Sequence, residues 1–223
     1  MLLTAERPVS WNEQTVDQLE LRKVSYQLLV DFISEAPTLE MWMHWRNDEG
    51  LNRLAESFEG ARLLQVQLQQ PSLEEIYALN ASLSEQYSRL FGITGQLPVV
   101  PCETMYRAKE QMLPRSYAQD VCGMYADFSL YFKKVNGEPD DHIAVELEFM
   151  AVLIEKMMNS VMTEMRFTRY MNGQREFITQ HLQRWVPLFA DDVVQHAQHP
   201  VYQAIGLLLA EFIEAEAAWA NQS

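Results

Sequence analysis

The residues with the most chemical potential form one short stretch, Glu138-Pro139-Asp140-Asp141-His142, with Glu146 four positions further on. On a helix, His142 and Glu146 share a face, and a metal site could borrow that spacing. A carboxylate-bridged di-iron bundle needs Glu-x-x-His pairs on separate helices, and the sequence has none. The plainer reading is that Asp140 or Asp141 caps the helix that follows and His142 bonds locally. His196 and His199 form a second pair, but Pro200 comes next, which puts His199 at a helix end. An imidazole there interacts well with the helix dipole. Cys102 and Cys122 are twenty positions apart with no Cys-x-x-Cys pair, so neither a disulfide scaffold nor a zinc framework is expected. There is no phosphate-binding glycine loop ending in Gly-Lys-Ser/Thr, no Gly-x-Ser-x-Gly elbow and no His-Glu-x-x-His helix. A structural role is the plainer reading of each, and catalysis through Asp141, His142 and Glu146 stays open at this point. No motif among them calls for a metal or a cofactor.

The elements that must position the stretch read as helices from end to end. Ser10 to Glu13 has capping-box spacing. A 3.6-residue stripe from Leu19 to Ile33 then stops before Pro37. Thr38 can cap a segment with Met41, Trp42 and Trp45 on its apolar face. Leu51 to Gln69 reads as one amphipathic run closed by Pro71. Ser72 opens another, with Glu74 and Glu75 at its positive end, and this one reaches Phe91 and stops at Gly92. The connector 92–102, with its strand-like run Leu97 to Val100, is the main break in the first half. A short helix over Tyr106 to Met112 and a longer one over Ser116 to Lys134 follow. The turn Val135 to Asp140, with Asn-Gly and then Glu-Pro, is a second break and a candidate hinge. Ile143 to Met162 is apolar on most sides, as a central buried helix would be. Helices over Glu176 to Val186 and Ala190 to Ala197, divided by Pro187, and a last one over Val201 to Ala220 close the chain. The pattern predicts an all-α fold: one globular multi-helix domain over residues 15–223 behind an N-terminal extension of residues 1–14.

Composition narrows the class of partner. Of the 223 residues, 17 are lysine or arginine and 31 are aspartate or glutamate, for a net charge of −14. Phosphate contacts need cationic side chains, so neither nucleic acid nor an anionic lipid surface is expected as a partner. A basic partner is. After Arg184 no lysine or arginine appears, and Glu138, Asp140, Asp141, Glu146, Glu148 and Glu155 gather around the second turn. If these acids border an apolar groove, they select a ligand with basic and apolar parts. No stretch is long and apolar enough to be a membrane span. The N-terminus lacks an export-signal pattern, so the cytoplasm is the expected compartment.

Several short motifs then occur in a telling order. Tyr87-Ser88-Arg89-Leu90-Phe91 resembles the aromatic-x-x-Leu-Phe signature of the TorD/DmsD family of redox-enzyme maturation chaperones. Pro101-Cys102-Glu103-Thr104-Met105-Tyr106 is similar to the Pro-Tyr-Glu-Ser-x-Tyr segment of that family, with Cys102 where an aromatic residue is common. Glu138 to His142 matches its Glu-Pro-x-Asp-His loop. His181-Leu182-Gln183-Arg184-Trp185 and His196 to Ala204 resemble two later stretches.

The resemblance implies a cytoplasmic chaperone without covalent chemistry. Its partner would be the twin-arginine signal peptide, or the apo-form, of a molybdenum-cofactor oxidoreductase, held until the cofactor is inserted. It makes Glu138, Asp141 and His142 the peptide-binding candidates. Tyr87, Leu90, Phe91, Pro139 and Tyr106 would support the pocket. The protein itself has no Arg-Arg pair and so is not such a cargo. It is expected as a monomer or a segment-exchanged dimer. The competing readings are a helical adaptor that binds folded partners through its acidic surface, and a metal- or nucleotide-dependent hydrolase.

Overall fold

The structure, a computed structural model, describes residues 12–92, 98–108, 117–133, 137–158 and 162–222. Eleven α-helices and one π turn account for nearly all of them, and among the described residues there is no strand. The helices of the first half are α1 (Glu13–Ser34), α2 (Leu39–Asn47), α3 (Glu49–Ser57), α4 (Glu59–Gln69) and α5 (Leu73–Phe91). Next come α6 (Glu103–Arg107) and α7 (Tyr117–Asp127), and then the central α8 (Ile143–Met157). The chain closes with α9 (Glu164–Phe177), the π turn Ile178–Leu182, α10 (Gln183–His196) and α11 (Pro200–Ala220). The expected all-α class is what the chain forms.

Two helices organise the packing. α8 is buried on most faces, from Ile143 and Leu147 to Phe149 and Ile154, and α1 lies along it. α11 packs against α10 on one side and α4 on the other. A Cβ on Gly60 would come within 2.2 Å of the Leu208 amide nitrogen, so α4 meets α11 backbone to backbone. The first and last helices are also joined. Arg22 donates to both carboxylate oxygens of Glu216, at 2.6 and 2.7 Å, and Tyr26 donates its hydroxyl to the same carboxylate at 2.6 Å.

Local signals explain most boundaries, and the exceptions have physical reasons. Asn12 caps α1, its Oδ1 accepting from the Thr15 amide at 2.7 Å. Thr38 and Ser72 cap α2 and α5 as expected, Ser72 in a full capping box with Glu75. The single run expected over Leu51 to Gln69 is two helices, because Phe58 takes extended backbone and its ring turns onto Phe212. α6 starts at Glu103, ahead of the expected Tyr106, and α7 stops at Asp127, seven residues before the expected Lys134. Beyond it Ser129 adopts a left-handed conformation, φ 56°. Pro187 does not divide two helices but lies inside α10. The π turn just upstream widens the backbone beside the Gln183 carbonyl, which Pro187 leaves without an amide donor. Ser10, Leu97, Met112, Ser116, Lys134 and Val135 lie outside the described residues, as do residues 1–11 of the expected extension.

Candidate functional site

The Glu138–His142 stretch is held from three directions. Its amide at His142 donates to the Pro139 carbonyl at 3.2 Å, closing the turn, and the Tyr125 hydroxyl of α7 donates to the Asp140 carbonyl at 2.9 Å. The third hold is the segment ahead of α6. Ile143 donates its amide to Pro101 at 2.9 Å, Glu103 donates its own to the Asp141 carbonyl at 3.0 Å, and Cys102 and His142 face each other as one antiparallel bridge. The two motifs are therefore one unit, built from segments some forty positions apart.

The cap of α8 is not an aspartate. His142 fills that place, its Nδ1 accepting from the Ala144 amide at 3.2 Å, so the neutral ring carries its proton on the other nitrogen. Burial holds its pKa below the ordinary histidine value, against the opposing pull of Glu138 and Asp141. Asp141 turns the other way. Its carboxylate accepts from the Thr104 amide at 2.9 Å and from the Thr104 hydroxyl, so it caps α6, whose own Cys102 makes no side-chain cap bond. Asp141 is 2% exposed. His142 and Glu146 also part company, since Glu146 points inward and accepts from the Trp185 indole at 3.1 Å.

Behind the loop lies a buried polar cluster that the sequence gives little sign of. The fully buried Glu103 pairs with Arg107 on one oxygen and with His181 Nδ1, at 2.8 Å, on the other. The π turn carries His181, and Arg107 also donates to the Gln180 carbonyl of that turn at 2.8 Å. Burial, and then the nearby Glu103 charge, push the Glu146 carboxyl well above the carboxylate range. Its second oxygen has no partner, so ionisation would leave a bare charge in the interior. The E-x-x-x-R spacing of Glu103 and Arg107 was the one available clue.

On the outer side, Glu138 and His142 line a cleft of about 230 Å³. Val30, Ser34 and Glu35 from the end of α1 form one wall, Ala144, Val145 and Glu148 from α8 another, and Lys133 closes the rim. The supporting motif residues pack around this unit. Tyr87 donates its hydroxyl to the carbonyls of Ile33 and Ser34, at 3.3 and 2.9 Å, which satisfies the C-terminus of α1. Burial, with Glu138 and Glu35 nearby, pushes the Tyr87 pKa up to about 12. Leu90 is fully buried, and Phe91 packs on Phe189 and Tyr202. Tyr106 lies against Trp185 and donates to Asp192 at 2.8 Å, while Pro139 is exposed on the turn. The structure thus brings Glu138 and His142 together and places the Asp141 carboxylate on the opposite side of the loop. Glu148 joins them from the acidic cluster around the second turn, and Glu35 is an addition that no local motif marks.

His196 bonds to its own helix at the Asp192 carbonyl, and His199 caps α11. Among the described residues no group of three or more His, Cys, Asp or Glu side chains is placed to hold a metal ion. Among the same residues no helix is long and apolar enough to cross a membrane.

The family model described as "Nitrate reductase delta subunit" matches residues 48–191, and the chain belongs to that family. Within it, the chain is similar to curated chaperones. It is 31% identical over 134 residues to the chaperone protein TorD of Aliivibrio fischeri, covering 60% of this chain and 62% of that one. It is 30% identical over 137 residues to the TorD of Photobacterium profundum, covering 61% and 63%. The matched stretch therefore spans less than two thirds of these relatives. A solved protein of Archaeoglobus fulgidus, described as a candidate redox enzyme maturation protein, aligns over 96% of this chain and 97% of its own at 17% identity, with a TM-score of 0.43. The relatives are named as chaperones, not as enzymes.

Proposed function

We propose that this protein is a cytoplasmic maturation chaperone for a molybdenum-cofactor oxidoreductase, and that it binds the enzyme's twin-arginine signal peptide at the cleft of Glu138 and His142. The observation that carries the reading is the rigid docking of the Glu138–His142 loop. Three sets of hydrogen bonds hold the loop beside a cleft that combines carboxylates with an apolar wall. A leader with two adjacent guanidiniums followed by an apolar segment has the complementary chemistry. Glu138 and His142 contribute directly to the cleft, and Asp141 acts as a positioning residue through Thr104. Preorganisation of this kind lowers the entropic cost of ordering a flexible leader.

The test is calorimetric titration of the protein with a synthetic twin-arginine leader and with a leader whose two arginines are replaced by alanine. The expected result is micromolar or tighter binding that needs the arginines and weakens with salt. Failure to bind any leader, with the protein folded, overturns the reading and favours an adaptor that docks on mature partners.

A further inference from the structure

His181 belongs to the buried cluster, with 4% of its surface exposed, and it lines a second cleft of about 500 Å³. The π turn sets its register, and turns of this kind are frequent at functional sites. Its Nδ1 meets one Glu103 oxygen at 2.8 Å while Arg107 donates to the other, so in the neutral ring Nδ1 carries the proton. Nε2 is then a bare acceptor, and no hydrogen bond reaches it. Unlike the second oxygen of Glu146, this atom is not sealed in, and the cleft is its way out. Arg184, three positions on, lines the same cleft; it is exposed and makes no ion pair or hydrogen bond among the described residues. From α7, Tyr117 and Met124 supply an apolar wall, and Asp120 a carboxylate that has no such partner either.

A ligand for this arrangement brings an N–H or O–H to Nε2 and an oxyanion to the guanidinium, side by side. A carboxylate side chain has only the second. Phosphate has both only while protonated, and as a dianion it meets Asp120 unfavourably. The free end of a polypeptide holds both at once, its last amide and its carboxylate being joined through a single Cα. We infer that the cleft between the π turn and α7 captures the free C-terminus of a polypeptide. Arg184 takes the carboxylate in a two-pronged bond, His181 Nε2 accepts from the last amide, and Tyr117 and Met124 cover the last side chain. Glu103 acts as a positioning residue that fixes the tautomer and direction of the imidazole. The site shares no lining residue with the cleft of Glu138 and His142.

The test uses the full chain and two pools of acetylated tetrapeptides, one ending in free carboxyl groups and one amidated. Binding is read at pH 8 by calorimetry and by NMR of the histidine ring nitrogens. The acid pool is expected to shift the His181 Nε2 resonance, to leave those of His142 in place, and to bind about tenfold more tightly than the amidated pool. Arg184→Gln, at an exposed position, is expected to melt with the parent, to weaken the acid pool about tenfold and to leave the amidated pool unchanged. Equal binding of the two pools, no binding by either, or an acid-pool affinity unmoved by Arg184→Gln overturns the inference. Inorganic phosphate that displaces the acid pool and moves the same resonance makes the cleft a general anion site and also overturns it. None of these outcomes touches the leader reading, which rests on the other cleft.

Discussion

Replacing Asp141 with alanine removes the one carboxylate that spans the two motifs, and the structure gives the cost. Two hydrogen bonds to a charged acceptor are lost, from the amide and the hydroxyl of Thr104. Bonds of this kind contribute about 1.5–3 kcal/mol, and a helix N-cap contributes about 1 kcal/mol. Asp141 is almost fully buried, so water does not replace the lost partner in full. A loss of about 3 kcal/mol is expected, equivalent to about 9 °C in melting temperature for a chain of this size. The assay is urea denaturation, read as a midpoint shift at constant slope. A double-mutant cycle with Thr104→Val isolates the hydroxyl and should return a coupling of about 1 kcal/mol. Asp141→Asn keeps an acceptor and should recover about half of the loss. A cost below about 1 kcal/mol for Asp141→Ala, or a cycle additive within about 0.4 kcal/mol, would refute the link from Asp141 to Thr104. The same set bears on binding: if Asp141 acts through position, leader affinity follows the stability of the loop and recovers in Asp141→Asn.

His142→Ala should cost about 1 kcal/mol while His142→Asn, itself a good N-cap, stays within about 0.5 kcal/mol. Because its folded pKa is depressed, the parent's stability from His142 is complete above the unfolded value near 6.5 and is lost as pH falls through the folded value. Urea midpoints between pH 7 and 5 should show that loss in the parent and not in His142→Asn. Glu146 runs the other way, since its pKa is raised: its contribution is complete below the unfolded value of 4.5 and is lost as pH rises through the folded one. Glu146→Gln keeps an acceptor for Trp185 and should flatten that decline, so an unchanged difference between pH 5 and pH 8 would count against a neutral Glu146. Gly60→Ala forces a Cβ onto the Leu208 backbone and should cost about 3 kcal/mol by separating α4 from α11, measurable by thermal melting.

Helices whose ends carry strong punctuation were legible: Pro37, Pro71, Gly92 and Pro200 each mark a real boundary, because a missing amide or an uncapped end is a local matter. Phe58 carries no such mark, and the break there comes from a ring packed against Phe212 in the last helix. Pro187 misleads in the opposite sense, since a π turn five residues long accommodates it. At the loop, both Asp141 and His142 are competent caps, and the choice between them is made by Thr104, thirty-seven positions away. For the cleft, Glu138 and His142 were readable from a contiguous motif. Glu148 was legible only as one of the acids gathered around the second turn, and Glu35 was not, because what brings the two together is the packing of α1 along α8.

The bond between Glu216 and the first helix has a consequence for how the molecule comes into being. Arg22 and Glu216 are 194 positions apart, and Tyr26 waits for the same carboxylate. At a synthesis rate of about 5–20 residues per second, α11 emerges about 10–30 s after α1 is complete. During that interval the faces of α1 and α4 that α11 will cover, including Tyr26, which meets Phe212, and Gly60, which meets Leu208, have no permanent neighbour. Closure between the chain's two ends also makes for slow, late-stage folding, since long loops must be ordered before the contact rewards them. Until α11 is made, a nascent chain of this protein thus keeps those faces of α1 and α4 open to association.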